Sequence, residues 1–167
     1  ALSVMLSCQL PRAFEIADRF RARGVKVIMG GIAVMLHPKD CAPHADSVFL
    51  GEAEGRTAGV LADLAAGKLA PTYDFMDAMP DTALVGPARR SILARDLYNY
   101  LGVQMLDLVH ASRGCRFRCA PCCATYLGGG AFRPRPVPAV ISEMEGIRNN
   151  RLFVVEVRRH ALRLQRR

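Results

Sequence analysis

Cys115, Cys119 and Cys122 stand at C-x3-C-x2-C spacing inside Ser112-Arg113-Gly114-Cys115-Arg116-Phe117-Arg118-Cys119-Ala120-Pro121-Cys122-Cys123. The apolar run over residues 105–109 reads as a strand, so the thiols fall on a loop at its carboxyl end. Three thiolates on one short loop can hold three irons of a [4Fe–4S] cube and leave the fourth open, whereas four-cysteine spacings close the cluster for electron transfer. An open iron can bind a substrate or cofactor, so the spacing points to catalysis. Gly114 permits a tight turn. Arg113, Arg116 and Arg118 set positive charge beside a group that is negative overall. The competing metal is zinc, with Cys123 or a histidine as fourth ligand. Structural zinc sites usually pair two C-x2-C hooks, or a Cys hook with a His hook, and the sequence has neither arrangement.

Ahead of this loop the pattern alternates. Residues 3–6 predict a strand, and Pro11 opens a helix with Phe14, Ala17 and Phe20 on one face and Gly24 as its cap. Residues 25–29 predict a second strand, continuous in apolar character as in a buried parallel sheet, and Gly30-Gly31 follows it. A helical turn over 38–42, a third strand over 47–50 and a helix over about 54–66 complete the series. This order means a parallel α/β sheet whose ligands bind beyond the strands' carboxyl ends. The loops at 7–11, 30–33 and 51–54 converge there. Residues 68–102, broken by Pro71, Pro80, Gly86 and Pro87, read as a linker.

The cysteine spacing, with Arg113-Gly114 before it, resembles the cluster loop of the radical S-adenosylmethionine (SAM) enzymes. A second resemblance is to the cobalamin (B12)-binding domain found in many of them. It is carried by 17–24 (ADRFRARG), 29–32 (MGGI), 44–48 (HADSV), Gly51-Glu52-Ala53-Glu54 and 61–67 (LADLAAG). Residues 87–93 and the run Phe132-Arg133-Pro134-Arg135-Pro136-Val137 are similar to segments that flank the catalytic domain of that family. The resemblance implies an α/β fold: a partial Rossmann-like sheet of the cobalamin-binding type over 1–75, a linker over 76–102, and the first βα portion of a radical SAM partial TIM barrel over 103–157. That last portion holds a helix over 138–149, with Val140, Ile141, Met144 and Ile147 as its buried stripe, and a strand over 152–157.

By the same resemblance Cys115, Cys119 and Cys122 hold a [4Fe–4S] cluster and Cys123 is a bystander. Phe117 and Pro121 fall beside S-adenosylmethionine, although Pro121 stands where the family usually has an aromatic. Ser3, Ser7, Gly30, Gly31, Gly51 and Glu52 line the cobalamin site, the glycines because side chains would collide with the ligand. The Asp-x-His-x-x-Gly motif that supplies a cobalt ligand in some cobalamin proteins is absent. His37 and His44 are the candidates for that role, against the plainer reading of solvated loop histidines. The implied chemistry is a 5′-deoxyadenosyl radical and methyl transfer. The implied partners are a small-molecule or lipid-like substrate and a reductant such as flavodoxin or ferredoxin. The family continues past this point, so the chain reads as a fragment cut at both ends, with a divergent basic tail over 158–167. The alternative reading of such a fragment is a non-catalytic iron–sulfur or zinc-binding module, or an inactive piece.

The formal net charge of +8 invites a nucleic-acid reading. Its distribution opposes one, since residues 148–167 carry seven Arg against the single acid Glu156 and the rest is close to balanced. No apolar run approaches the ~18 residues of a membrane span. No secretory signal precedes the six cysteines, so a cytoplasmic setting with metal-binding thiols is expected rather than disulfides.

Overall fold

A computed structural model describes residues 1–94, 97–100, 103–104, 108–120 and 122–147. They divide between two compact units, one of Ala1–Pro80 with Cys115–Gly130, the other of Asp81–Gly114 with Ala131–Arg167.

The first unit is built on four parallel strands in the order β1 (Leu2–Ser3), β2 (Ile28–Gly30), β3 (Ser47–Leu50) and β4 (Thr72–Asp74). Leu2 and Ser3 pair with Met29 and Gly30, and Met29 with Val48, so successive residues fall on opposite faces. One face carries Met29, Val48 and Leu50 into a core with Val4, Leu10, Ala13, Ala17, Ala33, Val34 and Cys41. The helices α1 (Leu10–Arg21), α2 (Ile32–Leu36) and α3 (Pro38–Cys41) supply that packing. Burial raises the Cys41 thiol pKa, with the Asp40 carboxylate adding to the effect. The other face meets α4 (Thr57–Ala65).

Two predicted strands are shorter than their apolar runs. β1 covers 2–3 rather than 3–6 because the Val4 carbonyl accepts from Ala33 N–H (3.0 Å) at the start of α2. Met5 and Leu6 are left exposed. β2 begins at Ile28 rather than Val25 because the Val27 carbonyl instead takes the N–H groups of Asp46 and Ser47. The Asp46 carboxylate closes this corner from the other side, accepting from Val27 N–H at 2.9 Å and from Lys26 Nζ at 2.9 Å. The Val27 N–H, then Lys26 and Arg21, hold its pKa below the ordinary 3.8 against the opposing effect of burial. The helix expected over 54–66 starts at Thr57. β4 is a strand where a linker was expected; its Tyr73 donates to Asp63 Oδ2 of α4 at 2.7 Å and ties strand to helix.

In the second unit the described strand pairs are antiparallel: β5 (Asn99–Tyr100) with β6 (Val103–Gln104), and β7 (Ser112–Arg113) with β8 (Arg133–Pro134). Of the strand expected at 105–109, Val109 is described and is not in a strand, while 105–107 lie outside the described residues. The expected strand 152–157 and the tail 158–167 also lie outside them. The helix expected over 138–149 is α6 (Val137–Glu145), preceded in the first unit by the short α5 (Ala124–Gly128). Among the described residues no helix is long and apolar enough to cross a membrane.

Gly31 sets the approach of α2 to β1. Its φ is +99°, and a Cβ there would stand 2.6 Å from Val4 O and 2.8 Å from Val4 N. Gly31→Ala is expected to cost about 3 kcal/mol from backbone strain and steric overlap. Thermal or urea unfolding checks this.

Candidate functional site

The glycine-bearing loops of the parallel sheet converge on a cavity of about 360 Å³ between the sheet and α4. Ser3, Gly30, Gly31 and Gly51 all line it, with Ile28 and Phe49 from the strands and Thr57, Val60 and Leu61 from α4. Four of the six residues that sequence reasoning assigned to cobalamin therefore meet on one wall. Glu52 is not in that lining, and Ser7 sits elsewhere, its Oγ 3.1 Å from His37 Nε2. The reason for the glycines is corrected at two positions. A Cβ on Gly31 would strike Val4, and one on Gly51 (φ +103°) would stand 3.0 Å from Phe75 backbone, so the chain itself excludes side chains there. Only Gly30 has a Cβ position open to ordinary contact, 3.4 Å from Phe49 O. The cavity's walls, mostly apolar with the hydroxyls of Ser3 and Thr57, suit a heterocyclic tail better than a charged group. On that observation the lining has the character to take the apolar base of a nucleotide tail.

The two candidate histidines separate. His44 Nδ1 lies 2.9 Å from Asp18 Oδ2, and its ring stacks on Phe14 at 4.2 Å between centroids, which pins 42–44 to α1. His37 lies at the junction of α2 and α3, between Ser7 and Asp40, with its ring partly exposed.

The cysteine loop follows β7 in the chain and packs within the first unit. Cys115 is buried, and its N–H donates to Gly129 O at 3.1 Å. Cys119, Cys122 and Cys123 are exposed, and Cys122 N–H donates to Cys119 O at 3.0 Å, closing a turn. Thr125 Oγ1 on α5 donates to Cys115 O (3.2 Å) and Phe117 O (2.8 Å), and Leu127 of the same helix enters the core. Sequence reasoning missed Thr125; its only signal is its place in the first turn of a helix just after the cysteines. Phe117 is 44% exposed, with the Arg116 guanidinium 5.3 Å from its ring centroid. Pro121 lies outside the described residues. Among the described residues no three His, Cys, Asp or Glu side chains stand close enough together to hold a metal ion. Three thiols on one turn-bearing loop match the donor chemistry of an iron–sulfur cluster, but their sulfurs are not gathered into a cage.

The second unit contains a buried ion network that the apolar stripe expected on α6 did not anticipate. Of that stripe Ile141 is 48% exposed, and the buried side chain is Glu143. Glu143 Oε2 accepts from Arg135 Nη1 and Oε1 from Arg90 Nη2, each at 2.8 Å. The same arginines donate to the carbonyls of His110 (2.7 Å) and Leu108 (2.5 Å). This fixes the backbone a few residues upstream of Gly114. No local pattern announced it: Arg135 lies ahead of α6, between β8 and the Pro136 cap, and Arg90 lies 53 residues away from Glu143.

No protein-family model matches the chain. Two curated relatives are methyltransferases, and kinship to enzymes is what they establish. The chain is 32% identical over 122 residues to the bacteriochlorophyllide d C-8(2)-methyltransferase of Chlorobaculum tepidum, which covers 73% of this chain and 27% of that protein. It is 27% identical over 132 residues to the bacteriochlorophyllide d C-12(1)-methyltransferase of the same organism, covering 79% and 28%. The chain thus spans about a quarter of the length of the curated relatives it matches.

Burial opposes ionisation of Glu143, but hydrogen bonds from Arg135, Arg90 and Ala88 N–H outweigh it, and its pKa falls below the ordinary 4.5. A carboxyl depressed on folding stabilises fully above its ordinary value and loses that effect as pH falls through the lower folded value. Acid unfolding followed below pH 4.5 is expected to flatten in Glu143→Gln. Glu143→Ala, which leaves Arg135 buried without its carboxylate, is expected to cost about 3–5 kcal/mol.

Proposed function

We propose that this chain is part of a cobalamin-binding radical SAM methyltransferase. Residues 1–75 belong to its cobalamin-binding domain, 76–102 to a linker, 103–157 to the start of its radical SAM barrel, and 158–167 to a divergent tail. The observation that carries the reading is one cavity lined by Ser3, Gly30, Gly31 and Gly51 in a chain that also bears the C-x3-C-x2-C loop. Similarity over most of the chain to two proteins named as methyltransferases supports the same reaction class.

In this account Cys115, Cys119 and Cys122 hold the [4Fe–4S] cluster, and Cys123 does not. The cluster with S-adenosylmethionine supplies a radical, and cobalamin supplies a methyl carrier. The chain's own residues do the positioning. Thr125 clamps the carbonyls of Cys115 and Phe117, so the loop keeps one backbone course while the buried Cys115 thiol and the exposed Cys119 and Cys122 thiols turn towards metal. Phe117, with Pro121 nearby in sequence, offers an apolar surface beside the adenine. The wall of Ser3, Gly30, Gly31 and Gly51 excludes water from the cobalamin tail; Ser7 and Glu52, which the resemblance also assigns to cobalamin, are not part of that wall. The electron comes from a reductant such as flavodoxin or ferredoxin. Bacteriochlorophyllide d, the substrate in the relatives' names, is the first small molecule to test.

Anaerobic reconstitution of the chain with iron and sulfide, followed by reduction and EPR, tests the reading. A [4Fe–4S]⁺ signal whose shape changes on adding S-adenosylmethionine is expected. Cys115→Ser, Cys119→Ser and Cys122→Ser should each abolish it, and Cys123→Ser should leave it intact. Uptake of zinc in place of iron, with loss of zinc in Cys123→Ser, would favour the structural module instead.

A further inference from the structure

The cluster reading of the cysteine loop requires an electron from outside, and the inference that follows rests on that reading. Between residues 108 and 142 the chain carries five arginines, no lysine and no acid, so the loop's stretch of chain is cationic throughout. Those arginines are not used alike. Arg135 is engaged by Glu143, and Arg113 and Arg133 have partners of their own. Arg116 and Arg118, on the loop itself, are exposed. Among the described residues neither of their guanidiniums meets an oxygen acceptor. That of Arg116 lies 5.3 Å from the Phe117 ring centroid, a contact that leaves its charge unpaired.

Neutralising the cluster does not by itself account for this placement. A charge held at the surface is screened by water and salt, so it adds little to the hold on a group that thiolates bind directly. The same charge acts at long range on an approaching macromolecule, raising the frequency of encounter and fixing its orientation. The planar guanidinium also matches a carboxylate with two parallel hydrogen bonds. Arg118 directly precedes Cys119, whose thiol is exposed, so a partner held by Arg118 stands beside a cluster ligand.

We infer that Arg116 and Arg118 form the docking surface for the electron donor, a one-electron carrier protein whose redox group is ringed by carboxylates. One electron passes from the reduced carrier to the [4Fe–4S]²⁺ cluster, giving [4Fe–4S]⁺, and the carrier departs oxidised by one electron. No bond forms or breaks. The arginines take no part in the transfer itself; they hold the acidic rim of the carrier against the loop.

The experiment uses an acidic flavodoxin as probe and reads binding and electron transfer separately. Isothermal titration of the oxidised flavodoxin into the chain, before and after anaerobic reconstitution, gives the affinity. Stopped-flow mixing of the reduced flavodoxin with the reconstituted chain gives the second-order rate constant of cluster reduction. In the wild type both are expected to fall about 10-fold as salt rises from ~0.02 M to ~0.2 M. Arg116→Gln combined with Arg118→Gln should lower both about 10-fold at low salt and remove most of the salt dependence. Arg116→Lys combined with Arg118→Lys should keep most of both. Reduced methyl viologen, a small cation, should reduce every variant at least as fast as the wild type. Flavodoxin reduction indifferent to salt and to the glutamine pair would overturn the inference. So would an equal loss of rate with methyl viologen, which would make the arginines supports of the cluster. Tighter binding of single-stranded RNA than of flavodoxin, lost in the glutamine pair, would overturn it in favour of nucleic acid. Each of those outcomes leaves the cluster in place and the wider reading intact. A chain that takes up no iron–sulfur cluster would overturn both. The lysine pair and the salt series keep the inference open to refutation should the glutamine pair not fold.

Discussion

The carboxyl edge of the parallel sheet depends on one close approach, that of Gly31 to the backbone of Val4. The Val4 N–H reaches Gly30 O at 2.8 Å, and its carbonyl receives Ala33 N–H at 3.0 Å. Both bonds require the chain to turn within van der Waals reach of β1, which only a residue without Cβ at positive φ allows. From that turn follow the end of β1, the start of α2, the position of His37 at its far end, and the wall that Ser3 and Gly30 share. The site is thus a property of backbone packing before it is a property of side chains.

That origin explains what the sequence revealed and what it hid. Apolar runs ending in glycine made the parallel sheet legible, and 47–50 was placed to the residue, because each run must be buried on both faces. Strand ends were less legible. Val4 and Val27 look like strand residues, yet their carbonyls bond to Ala33 and to Asp46 and Ser47, partners that no local pattern announces. β4 was hidden by its composition: Thr72-Tyr73-Asp74 has no apolar run, and its pairing to β3 rests on register and on Tyr73–Asp63. For α6 the periodic rule selected Val140, Ile141, Met144 and Ile147; the structure leaves Ile141 exposed and the others half-buried, and it buries Glu143 instead, because Arg90 and Arg135 neutralise it.

The candidate site divides in the same way. Gly30, Gly31 and Gly51 were legible as loop glycines, and the cavity they border was not, since α4 completes it with Thr57, Val60 and Leu61. The cysteine spacing was the plainest motif in the chain, and its sulfurs are the least organised part of the site. A loop whose carbonyls are clamped by Thr125 while the Cys119 and Cys122 thiols stay exposed keeps its order in the backbone. Thiolates gather only when a metal offsets their mutual repulsion, so such order is what a donor loop can have on its own.

The helix α4 contributes only Val60 as a buried residue, and Leu61 is 53% exposed over the cavity. Little of its placement comes from the core. It is tethered by Tyr73 to Asp63 at one end, and by Arg56, just ahead of its first turn, to the Phe75 and Ala78 carbonyls at the other. A helix held at its ends over a hollow gains most of its remaining contacts from whatever fills that hollow. Its local opening and the occupancy of the cavity are then one equilibrium, and substitutions along its inner face will alter affinity and regional stability together.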